Sequence, residues 1–174
     1  MAIVAHARPF VIGVDTHARN HAISILACPT GEIVDEAQFP ATAAGLSRAV
    51  SWGGRRTGGD AGVLWVIEGT GTYGARLARA ASDAGYAVVE APRMNARANR
   101  GIGKSDPLDA HQAAVAVLAG TDTAIPKTGD GAVESMRILL AERRSAAKAR
   151  AQVMNQIHAL LITAPELVRQ AFRA

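Results

Sequence analysis

Residues 10–17, Phe10-Val-Ile-Gly-Val-Asp15-Thr16-His17, decide how the chain folds. β-Branched and aromatic residues suit a pleated, half-buried surface, so Phe10 to Asp15 reads as a strand, and it ends in an acid. A carboxylate beside a core is costly unless it is partnered. Asp15 is therefore either a turn residue, its side chain bonding backbone in the Thr16-His17 turn, or part of a site. Downstream, His21 to Ala27 alternates weakly, and Glu32 to Phe39 follows the Pro29-Thr30-Gly31 turn. Three strands joined by short turns predict an antiparallel meander.

Working outward, Thr42 to Trp52 has helical spacing, with Leu46 and Val50 on one face and Thr42 as its cap. Gly53 to Gly62 reads as a glycine-rich loop. Val63-Leu-Trp-Val-Ile-Glu68 is then a buried-type strand that again ends in an acid. Tyr73 to Ala84 reads as a helix, Tyr86 to Glu90 as a strand and Asp106 to Leu118 as a helix. Strands alternating with helices after an opening meander predict an α/β three-layer domain with a mixed sheet, over residues 1–126.

Beyond Pro126 the character changes. Ala132 to Thr163 contains neither Pro nor Gly, and Val133, Leu140, Ala147, Met154 and Leu161 recur every seven residues. One helix of that span is about 48 Å long at 1.5 Å per residue, too long for an ordinary helix of a small domain. Met136 and Ile157 extend the apolar seam at its ends, while Arg143 and Arg150 take the same register in the middle. Ala164-Pro165 stops the helix. Residues 127–174 are thus expected to be a long basic helix that pairs with another copy in a coiled coil.

Composition narrows the function classes. Hydrophobic residues make up 49% of the chain and charged residues 20%, which suits a folded core rather than a disordered chain. Cys28 is the sole cysteine, excluding an intrachain disulfide and a cysteine zinc cluster. No apolar run approaches the roughly 18 residues of a membrane span, and no signal-peptide layout opens the chain, so a soluble cytoplasmic protein is expected. Residues 1–126 hold 11 Lys/Arg and 11 Asp/Glu, whereas residues 127–174 hold 8 and 4. All the excess positive charge lies in the last quarter, an asymmetry suited to a polyanionic partner.

Four acids carry the candidate chemistry. Glu68 ends its strand as Asp15 does, and could be merely a solvated strand end. Pro107 favours the first helical position, which would make Asp106 an N-cap and put Asp109 in the first turn, both steadied by the helix dipole. Their spacing also sets both carboxylates on one side of the helix end. Sites in open α/β sheets form beyond the carboxyl ends of strands, where Asp15 and Glu68 lie. If the strands are neighbours and the helix crosses the sheet, the four acids converge, and like charges so close repel strongly unless cations or protons offset them. Hard divalent ions, Mg²⁺ or Mn²⁺, fit such oxygen ligands, and paired ions serve phosphodiester chemistry. His17, His21 and His111 lack metal-ligand spacing and read as surface or supporting residues. Gly69-Thr-Gly71 is not a phosphate loop. Arg93, Arg97, Arg100 and Lys104 form a basic stretch that is either a solvated loop or a phosphate-contacting flank.

VIGVDTH with Asp15, VIEGTGTYGARLARA with Glu68, and GKSDPLDAHQAA with Asp106 and Asp109 together resemble the DEDD transposases of bacterial insertion sequences, the Piv/MooV type. QVMNQIHALLITAPEL is similar to the helical segment after that family's catalytic domain. The resemblance implies a RuvC-like, ribonuclease H-like domain in which Asp15, Glu68, Asp106 and Asp109 form the catalytic metal site. It further implies a recombinase acting on junction-like DNA and guided by a bridge RNA, with Arg143, Arg144, Lys148 and Arg150 of the long helix on nucleic acid. A C-terminal domain supplying a serine nucleophile is expected beyond Ala174. Three other readings stay open: a self-sufficient nuclease or junction resolvase of the same fold, a non-catalytic nucleic-acid-binding and dimerisation fragment, and an actin-like kinase lobe. The last needs a second phosphate-binding half, which residues after 126 do not provide.

Overall fold

In the computed structural model, which describes residues 3–92, 106–120, 125–126 and 129–172, strand β1 (Phe10–Thr16) lies at the centre of a five-stranded sheet. Its antiparallel neighbour is β2 (Asn20–Ala27), which pairs in turn with β3 (Ile33–Pro40). On its other side β1 runs parallel to β4 (Leu64–Ile67), which pairs parallel with β5 (Ala87–Glu90). The order is β3-β2-β1-β4-β5. Parallel neighbours need a crossover, and helices supply it. Helix α2 (Ala43–Arg56) links β3 to β4, and α3 (Ala75–Asp83) links β4 to β5. A short α1 (Val4–Ala7), which the sequence did not signal, precedes the sheet, and α4 (Asp106–Leu118) follows it.

Side-chain alternation sorts the sheet into two faces. Ile12, Val14, Ile23, Ile25, Trp65 and Ile67 pack with Leu46, Ala49 and Trp52 of α2 and Leu77, Ala78 and Ala81 of α3. Val11, Leu26, Leu64, Val66 and Val89 pack with Val4 of α1 and Ala113, Ala114 and Val117 of α4. The result is the three-layer α/β domain with a mixed sheet that the sequence predicts, in a ribonuclease H-like arrangement.

Several boundaries shift. Thr42 caps α2, its hydroxyl accepting from the Gly45 amide at 3.1 Å. The helix then continues through Gly53 and Gly54 to Arg56, where a loop was expected. A Cβ on Gly53 would lie 2.9 Å from Cζ2 of Trp65, so glycine serves close packing there and not a turn. Helix α3 starts at Ala75, and Tyr73 belongs to the turn before it. Arg93, Arg97, Arg100 and Lys104 lie outside the described residues.

The chain divides into two compact units, Met1–Thr128 and Gly129–Ala174. In the second, α5 (Gly131–Thr163) is a single helix of 33 residues, followed by α6 (Glu166–Ala171). No residue of α5 is buried, and Leu139 and Leu160 are 68% and 70% exposed. Arg143, Arg144, Lys148 and Arg150 are all exposed on it.

What sets α4 over the sheet is the absence of a side chain. A Cβ on Gly13 would collide with the carbonyl oxygen of Ala110 and stand 2.8 Å from the Ala114 Cβ. Backbone of helix and strand meet at that point, and only glycine lets them. Gly13→Ala should therefore destabilise the fold by about 1–3 kcal/mol or more through overpacking, measured by chemical denaturation. A neutral effect would mean that α4 is held by something else.

Candidate metal centre

The alternation that builds the core also builds the site. Val11 and Gly13 of β1 face α4, and Asp15 is two residues further on the same face. Leu64 and Val66 of β4 face the same way, and Glu68 continues their parity just past the strand end. Val14 pairs with Ile67, and the Glu68 amide donates to the Val14 carbonyl at 3.1 Å, so the acids end adjacent parallel strands. On α4, Ala110, Ala113, Ala114 and Val117 are buried, and Asp106 and Asp109 occupy the first turn of that helix.

Asp15 is 6% exposed. Its Oδ2 lies 3.0 Å from Nε2 of His17, which is also 3.4 Å from Oδ1 of Asp106. The side chain of Asp15 thus bonds His17 and not the backbone of its turn. Ligand-type atoms of Asp15, His17 and Asp106 fall within 4.8 Å of one another. Sequence reasoning treated His17 as a surface or supporting residue. Its bridging position depends on α4 crossing β1, which no local pattern reveals.

Glu68 and Asp109 are not part of that tight triad, yet their charges reach it. Burial raises the Asp15 carboxyl from its ordinary value, His17 lowers it, and Asp109 and Asp106 raise it again. The Glu68 carboxyl is raised by desolvation first, then by the charges of Asp15, Asp109 and Glu90. Asp15 and Glu68 are thus harder to ionise, first because they are buried and then because other acids stand near.

Glu90, at the end of β5, is a second residue that sequence reasoning missed. Its carboxylate accepts from the amides of Gly69 and Thr70, each at 3.0 Å, and from the Thr70 hydroxyl. Gly69 has φ +62°, a conformation glycine adopts freely. The Thr16 hydroxyl donates to the Glu68 carbonyl at 2.9 Å. A Cβ on Gly74 would stand 2.5 Å from that same carbonyl oxygen. The backbone carrying Glu68 is therefore held from β1, β5 and the start of α3.

Two carboxylates and an imidazole at this spacing, with two more acids coupled to them by charge, can hold a divalent cation. A family model described as a transposase, of the IS110 DEDD type, matches residues 12–164. The chain belongs to the IS110-type DEDD transposase family. Its members act in DNA recombination. No curated protein matches the chain.

A folded-state carboxyl raised above its unfolded value adds stability below the unfolded pKa and loses it as pH rises through the folded one. Asp15 and Glu68 therefore cost the metal-free fold stability at neutral pH. Asp15→Asn should melt above the metal-free wild type at pH 7 yet gain less from added divalent metal. Differential scanning fluorimetry reads both, and a lower metal-free melting temperature would contradict a stability cost from the buried, ionised Asp15. Glu90→Ala strips the acceptor from two backbone amides and should cost about 1–3 kcal/mol by denaturation.

Proposed function

We propose that the chain is the metal-dependent catalytic domain of a DNA transposase, with Asp15, Glu68, Asp106 and Asp109 as its metal-holding acids. The observation that carries this is the grouping of carboxylates from β1, the β4 end and the α4 start beyond the carboxyl ends of two adjacent central strands, in a chain of transposase family. A bound Mg²⁺ or Mn²⁺ would offset the crowded charge and polarise a DNA phosphodiester for displacement. The protein's part is to hold the acids ready. Asp15, nearly buried, provides a fixed ligand, Asp106 provides one on a different element, and His17 keeps the two carboxylates together. Glu90 steadies the backbone on which Glu68 stands.

The second unit fits nucleic-acid binding and self-association. Arg143, Arg144, Lys148 and Arg150 form an exposed basic stretch on α5, suited to duplex DNA or to a guide RNA. Val133, Leu140, Met154 and Leu161 keep a seven-residue apolar spacing, flanked by Ile157, for a partner helix from a second copy.

Thermal melts with and without Mg²⁺ or Mn²⁺ test the central reading. Metal that binds only the folded form should add about 2.7 kcal/mol at a hundredfold excess over its dissociation constant. Asp106→Asn should keep the fold and lose most of that gain, and an unchanged gain would remove Asp106 from the ligand set. For the basic stretch, four phosphate contacts on a duplex imply a log-affinity against log-salt slope of about −3.6. Replacing two of the four cations should flatten it by about 2 while leaving the melting temperature nearly unchanged. Salt-independent binding would refute this role for α5.

A further inference from the structure

His17 has a second side. A pocket of about 180 Å³ next to it is bounded by His17, His21, Leu46, Thr72, Tyr73 and Arg76. Because His17 also touches Asp15 and Asp106, anything in the pocket adjoins whatever the acid cluster holds.

Its walls are of three kinds. Tyr73 is 61% exposed, and among the described residues of the first unit it is the only aromatic so open. It adds nothing to either core cluster. An aromatic ring left in water beside a reactive site is suited to stack on a flat partner. Arg76 is anchored at the rim by one bond, Nη1 to the Ala41 carbonyl at 3.1 Å. A guanidinium carries five donors in a fork matched to phosphate, so that anchor orients it without exhausting it. His21 is only 1% exposed, and its Nδ1 has no partner among the described residues. A buried polar atom without a partner is uncommon and marks a place for a ligand or water. Arg76 also lines a wider groove of about 600 Å³ between α2 and α3, together with Ser47, Val50 and Arg79.

We propose that this pocket seats one unpaired nucleotide of the DNA strand whose phosphodiester lies at the acid cluster. The base stacks on Tyr73, and Arg76 takes the adjoining phosphate. An unpaired nucleotide is required because a base stacked and paired in a duplex presents no face to an aromatic wall, whereas single strands do. The α2–α3 groove then continues the track past Arg76. This inference rests on reading the acid cluster as a site of phosphodiester chemistry.

The test is fluorescence anisotropy on the full 174-residue chain, with a short fluorescein-labelled single-stranded DNA in Ca²⁺ and the matching duplex beside it. Tyr73→Ala should weaken single-strand binding about tenfold, the loss expected of one base stack, and Tyr73→Phe should bind as the wild type does. Arg76→Gln should flatten the log-affinity against log-salt slope by about 0.7, one phosphate on a single strand. All three variants should keep the wild-type gain in melting temperature with Mn²⁺. Wild-type affinity and salt slope in both Tyr73→Ala and Arg76→Gln would overturn the subsite, as would an equal Tyr73→Ala loss on the duplex. No Mn²⁺ gain in the wild-type chain would overturn the reading of the acid cluster itself.

Discussion

The first unit depends on one close approach, between Gly13 in the middle of β1 and the backbone of α4 at Ala110 and Ala114. Small residues on both sides let the helix lie directly on the central strand. One turn upstream of Ala110 and Ala113 the same helix carries Asp106 and Asp109, and two residues along β1 the same sheet face carries Asp15. Core packing and ligand placement are thus a single geometric fact. A bulkier residue at Gly13 would move the acids of α4 as surely as it would loosen the core.

Charge then works against packing. Asp15 is buried, Glu68 is partly desolvated, and each has its carboxyl raised by its neighbours. A sequence optimised for stability would not gather acids at a strand end next to an apolar layer. This one does, and it holds them through a histidine bridge between Asp15 and Asp106 and a carboxylate clamp from Glu90 on the turn after Glu68. Strain of this sort collects where chemistry is performed, since the fold tolerates it only with support from several elements.

Much of this was legible in the sequence, for identifiable reasons. Asp15 and Glu68 stand out because each closes an apolar run, and period-2 alternation puts each on a definite face. Asp106 and Asp109 stand out because Pro107 marks a helix start. The mixed sheet follows from a meander succeeded by helix–strand alternation. Gly53 and Gly54 misled because a glycine pair looks the same in a loop as in a helix pressed against an aromatic ring. Only Trp65 and the hydroxyl of Tyr86 on the neighbouring strand side show which it is. His17 and Glu90 were missed because the partners that define their roles, Asp106 on α4 and the turn after β4, are distant in sequence. Their roles exist only once the sheet is assembled.

None of the 33 residues of α5 is buried. A helix in that condition is held by its own backbone hydrogen bonds and by pairs such as Glu134–Arg137 at 2.8 Å, and such bonds fray cooperatively from the ends. Its amides should therefore exchange with solvent through local opening and not through global unfolding of the sheet domain. Exchange protection along α5 becomes a direct gauge of what covers it. Slow exchange at Leu140, Met154 and Leu161 would register a second helix, and slow exchange confined to residues 143–150 would register a polyanion.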